Sequence, residues 1–272
     1  MDIFYSIIFA IVQGITEFLP VSSSGHLIIL HDIFDMHLTS DLAFDVALHA
    51  GTFFAILIYF YRDLVKFYKT SPRTLVLICM GAIPAGVVGY FLEDFIDSSL
   101  RSLNVIIVML VAVGVLLIVA EKYHKPLLTL KHLTWQQTLT IGIAQIFALV
   151  PGTSRSGITI IAGIATNLKR REAAEFAFLI GLPIFGLATL KKVWDLSQVG
   201  VAAHEWTVIL IGFFVSGVVG FFVIKYLLKF LDKYSLKWFA YYRFALAFVL
   251  IIYLLIKQER FLIHCIHQTE YI

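Results

Sequence analysis

The chain has 272 residues, of which 60% are hydrophobic and 14% are charged, and its mean hydropathy is +0.90. A typical soluble domain has about 25% charged residues, so this composition excludes an ordinary soluble protein and predicts a polytopic membrane protein. The net charge of +3 is small and the basic residues lie in short loops, which argues against a nucleic-acid surface. Cys79 and Cys265 show no metal-ligand spacing and indicate no disulfide framework.

Six apolar segments are each long enough to cross about 30 Å of hydrocarbon. We predict transmembrane helices at roughly 42–61, 75–92, 105–120, 173–190, 207–228 and 239–256. The N-terminal segment has no basic residue before it and no small-residue cleavage site. We therefore expect it to remain in the mature protein.

Two further apolar segments, 3–30 and 135–166, are interrupted by polar sequences. The interruptions are Pro20-Val-Ser-Ser-Ser-Gly and Pro151-Gly-Thr-Ser-Arg-Ser-Gly. Proline removes a backbone donor and serine competes for backbone hydrogen bonds, so each segment should form two half-helices joined by a turn. A membrane tolerates such re-entrant hairpins only where protein or a water-filled cavity covers their free backbone groups.

Loop charges predict the orientation, because cytoplasmic loops of membrane proteins are rich in Lys and Arg. Basic residues follow the first, third and fifth spans and the second hairpin, and we place these loops in the cytoplasm. Residues 1–41 contain no Lys or Arg, and 93–104 contain one Arg beside three acids, so both segments fall on the outer side. Lys191 and Lys192 are the exception, because this scheme places them outside.

In this scheme the two hairpins enter from opposite faces, each followed by three spans, which is typical of an inverted-topology repeat. The turns also align around Pro20 and Pro151 with one inserted residue. We predict an all-α polytopic membrane protein with about six transmembrane helices and two re-entrant helical hairpins that meet near the bilayer midplane. The chain forms one integral membrane domain, 1–272, with repeats at about 1–120 and 135–256 and a C-terminal tail at 257–272.

The two turns form a candidate anion site. Four serines are candidate N-caps of the half-helices: Ser22, Ser23, Ser154 and Ser156. The free N–H groups at such helix starts can bind an anion. Arg155 adds a planar guanidinium that fits phosphate oxygens. Its position in an apolar segment leaves two interpretations, an anionic ligand or an internal ion pair with Glu17.

The first hairpin carries Gln13 and Glu17, which are four residues apart and so share one face of the entering half-helix. A charged residue at membrane depth is costly, so we expect Glu17 and His26 to line a cavity. His26 lies three residues after Ser23, close enough for a hydrogen bond. A lone His is usually structural, but beside a serine cluster and a carboxylate it is a candidate base, acid or nucleophile.

Two stretches resemble the signatures of the undecaprenyl-diphosphatase family, also called bacitracin-resistance proteins. They are Gln13-Gly-Ile-Thr-Glu17-Phe-Leu-Pro-Val-Ser22-Ser23-Ser-Gly-His26 and Pro151-Gly-Thr-Ser154-Arg155-Ser156-Gly-Ile-Thr159. Shorter stretches are also similar to that family: Leu48-His49-Ala-Gly51-Thr52, Tyr61-Arg62-Asp63 and Tyr242-Arg243. The resemblance covers nearly the whole chain except the tail.

The resemblance implies a multi-pass enzyme of the bacterial cell membrane that removes the terminal phosphate of undecaprenyl diphosphate. The product is the monophosphate lipid carrier used in peptidoglycan and cell-wall synthesis, and the activity confers resistance to bacitracin. The resemblance also implies a divalent cation, Mg²⁺ or alternatively Ca²⁺, at Gln13 and Glu17. Catalytic roles are implied for Glu17, Ser22, Ser23, His26 and Arg155, and phosphate binding for Thr153, Ser154, Arg155, Ser156 and Thr159. We assign His49 no role from the resemblance.

Hydrolysis of a phosphoanhydride needs neutralised oxygens, an in-line nucleophile and a stabilised leaving group. We favour Ser23 as the nucleophile, activated by His26, with Glu17 orienting His26 or holding the cation; a phosphohistidine at His26 is the alternative. The alternative function is transport of the polyprenyl phosphate carrier, because inverted repeats with broken helices also build secondary transporters. The serine and histidine cluster favours catalysis, since transport needs no nucleophile.

The expected partners are the polyprenyl diphosphate lipid and the bilayer, without nucleic acid, and the site should open to the outer side from which the first hairpin enters. Arg243 and Glu175 lie near span ends, where we expect a salt bridge or an interfacial position and not catalysis. Six glycines predict close helix packing and are compatible with a homodimer: Gly81, Gly86, Gly89, Gly212, Gly217 and Gly220.

Overall fold

The computed structural model describes residues 3–34, 41–199 and 205–269. The α-helices within these residues are α1 (Ile3–Thr16), α2 (Ser23–Phe34), α3 (Asp41–Thr70), α4 (Pro72–Ser99), α5 (Leu103–Tyr123), α6 (Trp135–Ile146), α7 (Arg155–Ala165), α8 (Arg170–Val199), α9 (Trp206–Leu231) and α10 (Lys237–Thr269). The all-α prediction is confirmed. Most of the predicted tail belongs to α10, and its last residues, 270–272, lie outside the described part of the chain.

The prediction of about six membrane spans is also confirmed. Among the described residues, six helical segments are long and apolar enough to cross a membrane: Ala43–Thr70, Pro72–Leu92, Leu103–Tyr123, Arg170–Trp194, Trp206–Leu231 and Lys237–Lys257. They are longer than the predicted segments because helices continue beyond the apolar residues. α3, for example, continues from Arg62 through Lys69, where the hydropathy pattern had already ended.

Both interrupted segments fold as helix, turn and helix, as the prolines and serines predict. α1 ends at Thr16 and α2 begins at Ser23, whereas α6 ends at Ile146 and α7 begins at Arg155 after a short 3₁₀ turn. The four half-helices contain 14, 12, 12 and 11 residues. At 1.5 Å per residue they measure about 17 to 21 Å, too short to span the hydrocarbon alone. Their re-entry from opposite faces remains a prediction.

The helix packing repeats between the two halves of the chain. α1 packs on α9 and α6 packs on α4, so the entering half-helix of each hairpin lies against the middle span of the other half. α3 packs on α9 as α8 packs on α4, and α5 packs on α10. A two-fold inverted repeat would produce this exchange of partners. The repeat boundaries at 1–120 and 135–256 remain a prediction.

Close packing accounts for most of the glycines singled out in the sequence. A Cβ would lie nearer than 3.4 Å to a neighbouring segment at five positions: Gly81, Gly89, Gly212, Gly217 and Gly220. Gly86 differs, because an added Cβ there would meet nothing within 4 Å. The space beside Gly86 is therefore open. The homodimer remains a prediction.

The four basic loops lie together at one end of the helix bundle. Arg170 makes a bidentate ion pair with Glu121, at 2.8 and 2.7 Å, which joins the end of α5 to the start of α8. Arg171 binds Asp232 at 2.9 Å, and Arg73 donates to the Leu133 carbonyl at 2.8 Å. The loops after α3, α5, α7 and α9 thus share one end, as the loop charges predict.

The end of α2 is tied to α10. The Asp32 carboxylate accepts hydrogen bonds from the Tyr253 hydroxyl and the Lys257 ammonium, both at 2.7 Å. The hydrogen bonds from Lys257 and from Tyr253 lower the pKa of the Asp32 carboxyl. The second half-helix of the first hairpin is therefore held at its far end as well as at its turn.

Candidate functional site

Glu17 is the residue on which the two hairpins converge. It lies in the turn after α1 and is buried, and its backbone N–H donates to the Gln13 carbonyl at 3.0 Å. Its Oε2 accepts hydrogen bonds from Ser23 Oγ at 2.7 Å and from Gln13 Nε2 at 3.0 Å. Its Oε1 lies 3.5 Å from Arg155 Nη2. One carboxylate thus contacts a hydroxyl of the first hairpin and the guanidinium of the second.

Arg155, the first residue of α7, lies beside Glu17 with 11% of its side chain exposed. Its guanidinium carbon lies 3.9 Å from the centre of the Phe185 ring, a cation–π contact. Its Nε and Nη1 have no hydrogen-bond partner within the described ranges. The 3.5 Å separation from Glu17 is long for a charge-assisted hydrogen bond, which is usually about 2.7 to 2.9 Å. The internal ion pair is therefore loose, and two buried guanidinium nitrogens lack a hydrogen-bond acceptor in the described part of the chain.

Two of the four candidate N-caps are observed. Ser22 Oγ accepts from the Gly25 N–H at 3.3 Å, and Ser154 Oγ accepts from the Gly157 N–H at 3.1 Å. Ser23 is instead the first residue of α2, and its hydroxyl points to Glu17. Ser22 therefore stabilises the turn, whereas Ser23 presents its hydroxyl to the site.

The predicted phosphate-binding hydroxyls divide into two groups. Ser156 Oγ donates to the Leu19 carbonyl at 3.1 Å, and Thr159 Oγ1 donates to the Arg155 carbonyl at 2.6 Å. These contacts favour structural roles, the first between the hairpins and the second within α7. Thr153 Oγ1 is buried without a partner in the described part of the chain, so it keeps a free polar atom.

Both ring nitrogens of His26 have partners other than Ser23, so the hydrogen bond considered between His26 and Ser23 is not formed. Its Nδ1 lies 2.6 Å from the Ser22 carbonyl oxygen, one turn back, and its Nε2 lies 2.7 Å from the Tyr242 hydroxyl. The His26 and Tyr242 rings are stacked, with centroids 5.8 Å apart. The ring is held between the first turn and α10 because the Ser22 carbonyl, which also accepts from the His26 backbone N–H at 3.2 Å, and the Tyr242 hydroxyl contact its two nitrogens.

Arg243 is fully buried and donates to backbone carbonyls, so the expectation of a salt bridge or an interfacial position is wrong. Its Nη1 donates to the Pro20 carbonyl at 3.2 Å, and its Nη2 donates to the Gly152 carbonyl at 2.8 Å. It also donates to the Leu110 and Met109 carbonyls of α5, at 3.1 and 2.8 Å. Broken helices expose carbonyls that need donors, and Arg243 satisfies one from each turn. The need of these carbonyls for a donor is the signal by which the role of Arg243 could have been inferred.

His49 lies in the site, although the resemblance was not used to assign it a role. Its Nδ1 lies 3.0 Å from Gln13 Nε2 and 3.7 Å from Glu17 Oε2. The available signal was an ionisable residue inside an apolar span, which is a functional candidate by default. Glu175, by contrast, makes the expected salt bridge with Arg171 at 2.8 Å, at the basic end of the bundle.

Gln13 and Glu17 fit the predicted divalent cation. Gln13 Oε1 is buried without a hydrogen-bond partner among described residues, and Glu17 supplies a carboxylate beside it. Mg²⁺ and Ca²⁺ prefer oxygen ligands, and Mg²⁺ is commonly held by one or two carboxylates together with substrate phosphates. The described residues contain no group of three His, Cys, Asp or Glu side chains that could hold a metal. Phosphate oxygens and water would therefore complete the coordination.

Six helices of the described residues are long and apolar enough to span a membrane. At the turns of the two broken hairpins, a carboxylate contacts a hydroxyl and a guanidinium. These features define a multi-pass membrane protein with a buried polar site. The family profile described as bacitracin resistance protein BacA matches residues 6–249. The chain belongs to this family.

Individual relatives are similar over most of their length. The undecaprenyl-diphosphatase of Thermodesulfovibrio yellowstonii is 40% identical over 250 residues, which cover 92% of this chain and 96% of the relative. That of Rubrobacter xylanophilus is 37% identical over 264 residues, with coverages of 91% and 96%. That of Idiomarina loihiensis is 36% identical over 231 residues, with coverages of 80% and 85%.

Proposed function

We propose that this protein hydrolyses undecaprenyl diphosphate to undecaprenyl phosphate and orthophosphate. Membership of the family and the similarity to proteins named undecaprenyl-diphosphatase support this reaction, and they do not support the alternative of transport. The structural observation that carries it is the contact of Glu17 with both Ser23, at 2.7 Å, and Arg155, at 3.5 Å. A hydroxyl nucleophile, a proton acceptor and a phosphate-binding cation are the groups that this reaction requires.

In the first step Arg155 binds the terminal phosphate through Nε and Nη1. Ser23 Oγ attacks the terminal phosphorus in line with the bridging oxygen, and its proton passes to Glu17 Oε2. The bond between this phosphorus and the bridging oxygen breaks, and undecaprenyl phosphate leaves with the proton that Glu17 holds. In the second step Glu17 takes a proton from water as the water oxygen attacks the phosphoserine, and Ser23 Oγ leaves with that proton. Orthophosphate is then released.

The geometry favours Glu17 over His26 as the base for Ser23. Both ring nitrogens of His26 already have partners, the Ser22 carbonyl and the Tyr242 hydroxyl. A phosphohistidine would require one of these contacts to break before attack. We therefore assign His26 the positioning of the first turn.

The divalent cation would be held by Gln13 and Glu17. Bound there, it would neutralise charge on the diphosphate oxygens, the main electrostatic requirement of phosphoryl transfer. His49 would orient the Gln13 amide through the 3.0 Å contact between Nδ1 and Nε2. Loss of His49 should therefore raise the cation concentration needed for half-maximal activity more than it raises the KM for the substrate.

The substrate and the loop charges together support a location in the bacterial cell membrane, with the site open to its outer side. The basic loops meet at one end of the bundle, and such loops are cytoplasmic in most membrane proteins. The ends of α4 and α8 would then face outward, and recycling of the carrier would take place there.

The test is orthophosphate release from undecaprenyl diphosphate by detergent-purified protein, with Mg²⁺ or with EDTA. Ser23→Ala should lower kcat at least about 10³-fold because it removes the nucleophile. Arg155→Ala should lower kcat/KM about 10²- to 10³-fold because it removes the main phosphate ligand. EDTA should abolish release by the wild-type protein.

Ser98→Ala is the matched control, since Ser98 is exposed and donates only to local groups at the end of α4. It should keep the wild-type rate. Folded wild-type protein that releases no orthophosphate under any of these conditions would refute the reaction. Wild-type turnover by Ser23→Ala would refute the assigned nucleophile.

A further inference from the structure

A large cavity leads away from the site between α4 and α8. Its volume is about 940 Å³, near the upper limit of the roughly 300 to 1,000 Å³ usual for ligand sites. One end is lined by His49, which contacts Gln13, and by Ser24 and Pro151, which respectively follow Ser23 and begin the polar turn of the second hairpin. Three cations line the cavity at the ends of α4 and α8 that lie away from the basic loops: Arg101, Lys191 and Lys192. The cavity therefore extends from the edge of the buried polar site to a cationic region near the other end of the bundle.

The wall formed by α4 contains four small residues among larger apolar ones. The small residues are Ala82, Ala85, Gly86 and Gly89, and the larger ones include Ile83, Val87 and Tyr90. At Gly86 an added Cβ would have no neighbour within 4 Å, unlike the glycines that pack against other segments. An apolar wall with open space at Gly86 is suited to a flexible hydrocarbon chain.

The cavity also offers a reason for the position of Lys191 and Lys192. Loop charges place these lysines on the outer side, where the topology rule does not favour them. Both line the cavity, together with Arg101. Cations near the mouth of a cleft attract anionic ligands over a distance set by ionic strength. Three acids also lie near this end in sequence: Glu93, Asp94 and Asp97. An experiment that changes the lysines therefore measures the combined effect of the acids and the cations on substrate binding.

We infer that this cavity is the path and the binding site of a prenyl diphosphate. The diphosphate passes the end with Arg101, Lys191 and Lys192 and reaches Ser23 and Arg155. The first isoprenoid units then lie against the small-residue face of α4. This inference rests on the proposed hydrolysis of a lipid diphosphate, and it adds where the lipid enters and what holds it.

The sharpest test is a series of substitutions at Gly86. A larger side chain there would extend into the cavity, and its Cβ would have no neighbour within 4 Å. We expect Gly86→Ala, Gly86→Leu and Gly86→Phe to raise the KM for undecaprenyl diphosphate in that order, by about tenfold for Phe, with kcat within about twofold. Val76→Phe is the control, because Val76 is an exposed residue of the same helix that does not line the cavity.

The outcomes separate the inference from the proposed function. Wild-type protein without phosphatase activity would refute both. Active wild-type protein with an unchanged KM throughout the Gly86 series would overturn the path alone. A fall in kcat without a rise in KM would also overturn it, because that result indicates disturbance of the site and not obstruction of binding.

A second test concerns the lysines. Lys191→Gln/Lys192→Gln should raise KM about three- to tenfold at low salt, and the difference should vanish near 1 M salt, where the Debye length is about 3 Å. Lys66→Gln/Lys69→Gln, two lysines near the basic end of α3, should leave KM unchanged. A wild-type KM for the first double variant at low salt would exclude attraction by these lysines.

Discussion

Ser22 and Ser154 both have a positive φ angle, 76° and 73° respectively. Each caps the N–H three residues later. Few non-glycine residues adopt this conformation, and it is enriched at functional sites. The next residue is Ser23 in one turn and Arg155 in the other. Equivalent positions of the two turns therefore supply the hydroxyl and the guanidinium that contact Glu17.

The likeness of the hairpins extends to two buried glutamines. Gln13 lies nine residues before Ser22, and Gln145 lies nine residues before Ser154. Gln13 donates to Glu17, whereas both polar atoms of Gln145 lack a partner among described residues. The second hairpin has no carboxylate at the position of Glu17, which is Leu149 when counted from Ser154 and Ala148 when counted from Pro151. The unpaired amide is thus consistent with a duplicated hairpin in which only one copy has the carboxylate.

The first prediction concerns Arg243, which binds carbonyls of both turns and of α5. Arg243→Lys should lower kcat about 10- to 100-fold, because an ammonium lacks the guanidinium fork and the turns would shift relative to one another. Each unpaired buried carbonyl should also cost about 1 to 3 kcal/mol of stability. Kinetics and thermal unfolding in detergent measure the two effects. Arg73→Lys, which alters a contact with one carbonyl remote from the site, should leave kcat intact.

The second prediction concerns the hydrogen bond between Tyr242 and His26. Tyr242→Phe removes this bond but keeps the stacked ring, so kcat should fall only about 2- to 10-fold, consistent with the net value of one hydrogen bond. Tyr241→Phe, an exposed neighbour, is the control for the loss of a hydroxyl. A loss in Tyr242→Phe beyond about 100-fold would contradict a positioning role and favour His26 as a reacting group.

The sequence was informative where the determining interactions are local. Pro20 and Pro151 break their helices through their own backbone chemistry, and the two breaks were placed correctly. Glu17 and Arg155 were identifiable because charge in an apolar segment needs a partner. Each of these inferences requires only neighbouring residues.

Contacts made across the fold were not predictable in this way. Arg243 and Pro20 are 223 positions apart, and only the packing of α10 on α5 brings the guanidinium to the first turn. His26 was paired with Ser23 because they are near in sequence, but Tyr242, 216 positions away, binds its ring. Helix packing decides which of several nearby polar groups a side chain meets, and a single sequence does not determine it.

The third prediction concerns competition for Arg155. Glu17→Gln removes the negative charge beside the guanidinium, so in EDTA the variant should bind pyrophosphate several-fold more tightly than the wild type. Calorimetry measures the two Kd values. Glu175→Gln makes the same chemical change at a carboxylate paired with Arg171 and should leave the Kd unchanged. Weaker binding by Glu17→Gln would show that Glu17 orders Arg155 and does not compete for it.

The last prediction uses Gly181 of α8, which leaves room for Arg155. An added Cβ would overlap Nη1 of the guanidinium, so Gly181→Ala should displace Arg155 from Glu17 and Phe185 and lower kcat/KM about 100-fold. Gly186→Ala on the same helix is the control, because its Cβ would make an ordinary 3.4 Å contact with Phe53. Thermal unfolding separates loss of fold from loss of position. A folded Gly181→Ala protein with wild-type kcat/KM would mean that Arg155 acts from another position, and that the terminal phosphate does not bind through Nε and Nη1 beside Glu17.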